Sequence, residues 1–454
     1  MPFLSTNPAT GEEFFRAAGH RPAQVEAILE DAASAGPAWR AVPIAARCRL
    51  LGQAAQCLRA KRDEFARLIT LEMGKLIGEA RAEVEKCAAG CEYYAEHAAG
   101  FLADEEIATD AGRSLVAYQP LGAVLAVMPW NFPFWQAIRC AAPALAAGNT
   151  VLLKHASNVP QCALAIERVF AEAGFPDGVF RTLLVDSEAV GKLIADPRVH
   201  AVSLTGSDRA GRAVAARAGE NLKKTVLELG GSDPFIVLAD ADLELAVEQG
   251  ARSRFQNAGQ SCIAAKRFLV AEPVIDEFLE RFKAAVEALA PGDPLDPATS
   301  LAPMARADLR DELHDQVTDA IAHGAVTITG GAPLARPGTF YAASILSGIV
   351  PAMRSWREEV FGPVALVIGV RDADEAIEIA NASVFGLGGS VWTRDLGRGE
   401  ALARRLECGA VFVNAMVKSD PRLPFGGVKA SGHGRELSRH GIREFVNAKT
   451  LWVD

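Results

Sequence analysis

From residue 120 onward, short apolar runs alternate with helical segments, and no other feature of the chain constrains its fold as much. Apolar runs stand at 123–128, 150–153, 201–204 and 223–227, with helical spacing near 134–147, 160–173, 188–195 and 207–218. The pattern repeats after Gly230: a run at 235–238, a helix over 242–254, a run at 267–270, a helix over 274–289, then further alternation to Val413. Strands separated by helices pair in parallel, because each crossover helix must pack back onto a sheet face. The chain therefore reads as two α/β domains. Ahead of them, the spacing predicts helices over 22–35, 44–73 and 75–99, with stops at Gly74 and Gly100. Residues 103–119 read as a hairpin turning at Asp110-Ala-Gly112. The hairpin and the tail after Pro424, Gly-rich and then charged, join neither domain.

Composition excludes several function classes. Of 454 residues, 50% are apolar and 23% charged, which is globular and not disordered composition. The 47 Lys and Arg against 56 Asp and Glu give a net charge of −9 and are dispersed, so no basic footprint for nucleic acid exists. No uninterrupted apolar run is long enough to span a membrane, and the N-terminus lacks the basic and apolar regions of a signal peptide. Eight cysteines are too sparse for a disulfide scaffold, so free thiols and a cytoplasmic location are expected. The histidines are scattered and no C-x-x-C occurs, so no metal set is expected.

Residues able to do chemistry gather at the ends of the apolar runs. In Asn257-Ala-Gly-Gln-Ser-Cys262, Gly259 permits a tight backbone, and Cys262 stands where a loop could enter a helix whose N–H groups would stabilise a thiolate. Val226-Leu-Glu228-Leu-Gly-Gly231 places a carboxylate at a strand end, a position for a general base. Met128-Pro-Trp-Asn131-Phe-Pro fixes an amide suited to donating to an oxyanion. Val151-Leu-Leu-Lys154 carries an ammonium to the carboxyl end of a run, where parallel sheets bind ligands. Leu204-Thr-Gly-Ser207 leads into a helix N-terminus able to receive a phosphate. It is not a Walker A loop, and no G-x-G-x-x-G follows an N-terminal strand. Singly, each motif also fits an ordinary reading: an inert buried Cys, a salt-bridged Glu, an Asn bonded to its own turn.

Together these motifs resemble the aldehyde dehydrogenase superfamily, in family order and over nearly the whole chain. The match starts at Asn7-Pro-Ala-Thr-Gly11 and runs through Pro129-Trp-Asn-Phe-Pro133, Glu358-Glu-Val-Phe-Gly-Pro363 and Phe385-Gly-Leu-Gly388 to Pro424-Phe-Gly-Gly-Val-Lys429. Stretches 227–238, 302–306 and 403–409 are similar to succinate-semialdehyde dehydrogenases of a short bacterial type. The resemblance implies an α/β fold of two parallel-sheet domains: a Rossmann-like cofactor domain over 1–102 and 120–229, and a catalytic domain over 230–428. It also implies an oligomerisation element from 103–119 and 429–454, and a homodimer or homotetramer.

The resemblance further implies oxidation of an aldehyde to a carboxylate with NADP or NAD. In that expectation Cys262 is the nucleophile, and Asn131 with the Cys262 N–H receives the oxyanion. Glu228 activates water against the thioester, and Lys154 holds the cofactor ribose. Further cofactor contacts fall on Trp130, Ser157, Gly191, Thr205, Gly206, Ser207, Leu229, Glu359 and Phe361, with Glu228 beside them. Ser157 stands where many NAD-preferring relatives carry Glu, so a 2′-phosphate meets no like charge and NADP is usable. Substrate contacts fall on Arg139, Gln256, Ser419 and Phe425. Arg139 matches a carboxylate-binding arginine, whereas Gln256 replaces a second one. The expected substrate is succinate semialdehyde. The alternatives are glutarate semialdehyde, an aliphatic or aromatic aldehyde, a CoA-acylating relative, or a catalytically silent binding relative. Neither nucleic acid nor membrane is an expected partner.

Overall fold

The computed structural model describes residues 2–454. The first alternating stretch forms a six-stranded sheet in the order Gly432–His433, Lys224–Glu228, Val199–Thr205, Ala123–Met128, Thr150–His155, Phe180–Thr182. Its strands run parallel except Gly432–His433, which the tail adds antiparallel at the edge. Thr150–His155 is buried at every position, as expected of a parallel strand covered on both faces. On one face lies the helix Pro133–Ala147, backed by Ile44–Ala60, Arg62–Met73 and Ile77–Phe101. On the other lie Pro22–Ala41, Ser187–Ala195 and Asp208–Glu220.

Pro133–Ala147 is buried along its full length, so it is a core helix and not an amphipathic one. Its few polar side chains, Gln136 and Arg139, must therefore have polar company inside the protein.

The second stretch forms a seven-stranded sheet: Val326–Thr329, Ser344–Ser347, Val364–Val370, Ala265–Ala271, Asp233–Val237, Gly388–Trp392, Ala410–Val413. Only the Val326–Thr329 edge is antiparallel. Phe235, Phe268, Phe278, Phe282 and Trp392 fill one of its faces, and Met304, Leu313, Val317 and Ile377 pack the other.

The structure departs from the helical reading at several points, one being that the helix expected over 22–35 continues to Ala41. The expected helix over 44–73 breaks at Lys61 (φ −110°, ψ 20°), giving Ile44–Ala60 and Arg62–Met73; no Gly or Pro marks the break. Gly100 does not stop its helix, which continues to Phe101. Gly74 does end one, at φ 85°.

The hairpin forms, with Glu105–Glu106 against Arg113–Pro120. The tail strand Val446–Val453 covers the other side of Arg113–Pro120, in register from Val446 opposite Pro120 to Val453 opposite Arg113. One part of the tail therefore extends the first sheet, and another, Val446–Val453, completes the hairpin's own small sheet.

Candidate active site

The Cys262 loop is held in an unusual backbone conformation. Asn257 and Ala258 have φ of 54° and 52°, and Gly259 has 73°. Two non-glycine residues in the left-handed region store strain that the surroundings must support. A side chain at Gly259 would run into the Gly362 carbonyl and Arg254. Arg254, fully buried, donates to the carbonyls of Gly259 and Gly362, both at 2.6 Å. Glu79 accepts the Asn257 N–H at 3.1 Å. Lys266 donates to the carbonyls of Ser261 (2.8 Å) and Cys262 (2.5 Å).

The expectation that Cys262 enters a helix is corrected here: the loop runs into the strand Ala265–Ala271, so no helix N-terminus lies beneath the sulfur. Burial pushes the Cys262 thiol up to about 12, against the pull of Lys266 and Arg139.

Asn131 meets this loop. It follows the strand Ala123–Met128, just ahead of the helix that Pro133 opens. Its Nδ2 donates to the Gln260 carbonyl at 3.2 Å, and its own carbonyl accepts from Lys75 and from Asn257 Nδ2, both at 2.9 Å. Lys75 in turn forms a buried ion pair with Glu83. Glu83 accepts the N–H groups of Phe134 (2.9 Å) and Trp135 (3.0 Å) at the helix start. Lys75, Glu79 and Glu83 thus fix both loops from one side, and the sequence reading missed all three. A signal existed for Glu83: it falls on the apolar stripe of Ala80, Val84 and Cys87.

Glu228 ends the strand Lys224–Glu228, and neither of its carboxyl oxygens has a hydrogen-bond partner among the described residues. Burial, then the neighbouring Glu436, raises its pKa well above the ordinary carboxylate range. Arg139 forms a buried ion pair with Glu436, lies 3.4 Å from Thr205 Oγ1, and stacks 4.7 Å above the Phe425 ring. A cavity of about 110 Å³ is lined by Cys262, Arg139, Gln256, Ser419 and Phe425, together with Lys86 and Trp135. All four residues expected at the substrate therefore share one cavity with the sulfur. Asn131 and Glu228 do not line it. Asn131 instead reaches the loop through Gln260, and Glu228 faces Gly426.

The residues expected at the cofactor fall into three groups. Lys154 and Ser157 line a larger cleft of about 910 Å³ with Asp186, Lys192 and Arg306. Gly191 sits on the helix Ser187–Ala195, which borders that cleft, but its carbonyl takes Arg217 Nε at 3.1 Å. Thr205, Gly206, Ser207 and Leu229 cluster where two parallel strands end, and the Gly206 N–H donates to the Glu228 carbonyl at 3.0 Å. Ser207 caps the helix Asp208–Glu220 by accepting the Ala210 N–H at 3.3 Å, which leaves its hydroxyl proton free to donate. Trp130 and Phe361 meet edge to face at 5.9 Å. Glu359 accepts the Gly231 N–H and faces Lys266, both at 3.1 Å.

These groups fit a dinucleotide. Lys154 is buried and has no hydrogen-bond or ion-pair partner among the described residues; burial lowers its pKa, as for an ammonium short of a counter-charge. No carboxylate stands at 157 to oppose a 2′-phosphate.

The chain matches the model of the aldehyde dehydrogenase family over residues 2–451. It is 52% identical over 453 residues to the probable succinate-semialdehyde dehydrogenase [NADP(+)] of Synechocystis sp., covering 100% of both chains. It is equally 52% identical over 456 residues, again covering 100% of both chains, to succinate-semialdehyde dehydrogenase [NADP(+)] 1 of Mycobacterium tuberculosis. Its fold superposes on the crystal structure of the Streptococcus pyogenes succinic semialdehyde dehydrogenase in complex with NADP+, with TM-score 0.98, 39% identity and 99% of each chain covered. Ordered motifs, two parallel sheets and full-length similarity agree: the chain belongs to the aldehyde dehydrogenase family.

Proposed function

We propose that this protein oxidises succinate semialdehyde to succinate with NADP, NAD also being usable, through a thioester on Cys262. The observation that carries the reading is the cavity that places Cys262 beside cationic side chains, room for a short aldehyde with a carboxylate at its far end. The similarity to enzymes of that name and cofactor supports it. Cys262, once deprotonated, attacks the aldehyde carbon. The second N–H of Asn131 Nδ2 and the Cys262 backbone N–H receive the oxyanion. Lys154, Ser157, Ser207 and Glu359 hold the dinucleotide, which when bound supplies the hydride acceptor. Glu228, once deprotonated, then takes a proton from water as the thioester is hydrolysed.

The division into 1–102 with 120–229, 230–428, and 103–119 with 429–454 belongs to the same reading. Two separate parallel sheets and the joint sheet of hairpin and tail support it. So does assembly as a homodimer or homotetramer through the third element, where Ile107, Trp452 and Val453 are exposed. A cytoplasmic location is part of it too, with all eight cysteines standing free.

A kcat/KM screen over succinate semialdehyde, glutarate semialdehyde and butanal, with both cofactors, tests the function. Succinate semialdehyde with NADP should lead; a lead for butanal would reject the reading. Ser157→Glu should weaken NADP far more than NAD, because the new carboxylate repels the 2′-phosphate. Equal losses in KM for the two cofactors would show that residue 157 does not face the ribose.

Arg139 carries a different expectation. Its charge is already matched by Glu436, and both side chains are buried. Arg139→Leu strands that carboxylate and should cost about 3–5 kcal/mol of stability. Adding Glu436→Gln should restore much of it. Denaturant midpoints of the two variants check this, and an undiminished midpoint for Arg139→Leu would show that the pair does not support the fold.

A further inference from the structure

Gln256 leaves the substrate cavity without a second arginine, yet the cavity holds a second cation that the sequence reading did not single out. Lys86 lies on the helix Ile77–Phe101 and lines the same 110 Å³ space as Cys262 and Arg139. Its Nζ sits 4.5 Å from the centre of the Trp135 ring and donates to Ser419 Oγ at 2.6 Å. The two acids whose charge favours its own are occupied: Glu83 pairs with Lys75, and Asp420 with Arg422 at 2.6 Å. Arg139, by contrast, is neutralised by Glu436. The remaining lining cation, Lys418, is exposed at the rim. The unmatched positive charge inside the cavity is therefore that of Lys86.

We propose that the Lys86 ammonium, with the Ser419 hydroxyl beside it, receives the carboxylate end of the substrate. This rests on the reading of the substrate as a semialdehyde ending in a carboxylate. An ammonium has three N–H donors, and Ser419 takes one. The other two, and the Ser419 proton, are free for carboxylate oxygens, giving charge-assisted hydrogen bonds in a partly buried site. Gln256 adds a neutral donor and no charge. Burial and the charge of Arg139 push the Lys86 pKa down to about 8, as for an ammonium short of a counter-ion. Around it, Cys87 is pushed well above its usual value by burial, and Asp420 is held at about 2 by Arg422. Glu83 from its own helix and Arg139 from the facing one complete its charged surroundings.

Lys86→Met keeps the length of the side chain and removes the charge. It should lower kcat/KM for succinate semialdehyde about 10–100-fold, the range for hydrogen bonds to a charged group, mainly by raising KM. Butanal should be nearly unaffected, and Lys86→Arg should retain much of the wild-type preference. In the wild type, KM for succinate semialdehyde should rise as pH passes about 8, while KM for butanal stays level. Equal losses for the two aldehydes, or no loss, would overturn the role of Lys86 and leave the substrate reading standing. A wild type that prefers butanal would overturn that reading and this proposal together. Should Lys86→Met fail to fold, the wild-type pH profile decides, and a level KM for succinate semialdehyde across pH 8 rejects the proposal.

Discussion

Replacing Cys262 with Ala should lower dehydrogenase turnover by at least about 10⁴-fold, the scale seen when a catalytic nucleophile is lost, while NADP binding stays measurable by fluorescence titration. The substitution removes one sulfur and leaves Lys154, Ser157 and the Trp130–Phe361 pair as they are. No other thiol is placed to take over. Cys48, Cys87, Cys91, Cys140 and Cys162 are buried in the core of the first sheet and its helices, and Cys57 packs against that core. Cys408 lies in a separate small pocket beside Asp233 and Arg267. Residual NADPH formation within tenfold of wild type would reject the nucleophile assignment.

Glu228→Gln should separate the two halves of the reaction. Acylation of Cys262 and one equivalent of NADPH should still form quickly, and steady turnover should then fall about 10²–10⁴-fold, the usual contribution of a general base. Stopped-flow absorbance reads both phases. A burst that slows in proportion to the steady rate would place Glu228 before hydride loss.

The same variant has a stability signature. A carboxyl whose pKa is raised by folding binds its proton more tightly in the folded protein. Its contribution is fully present at low pH and is lost as pH rises through the folded value. Burial places that value well above the carboxylate range for Glu228. Gln cannot ionise, so the melting temperature of Glu228→Gln should gain on wild type as pH rises from acid to alkaline. A constant difference would mean that Glu228 is not buried in its neutral form.

Strand positions were the most legible part of the chain. The run at 123–128 coincides with its strand, because a parallel strand buried on both faces is a continuous apolar word. The break at Lys61 was invisible, since no Gly or Pro ends that helix. In the candidate site, Asn131, Lys154 and Glu228 were readable because each follows an apolar run by local rule. What surrounds them was not. Glu436 meets Arg139 across 297 residues and Ser419 meets Lys86 across 333, so no local pattern announces either contact. The helix expected after Cys262 failed for a related reason. A cysteine ahead of Ile263-Ala-Ala fits either a helix start or a strand start, and pairing with Asp233–Val237 and Val364–Val370 decides for the strand.

Rapid-quench peptide mapping of wild type and Glu228→Gln, mixed with succinate semialdehyde and NADP, tests the thioester on Cys262 most directly. A succinyl group, released by hydroxylamine, should appear on the peptide carrying Cys262, transient in wild type and accumulating in Glu228→Gln. NADPH formed with no acyl group on that peptide, or with the acyl group on another cysteine such as Cys408, would contradict it.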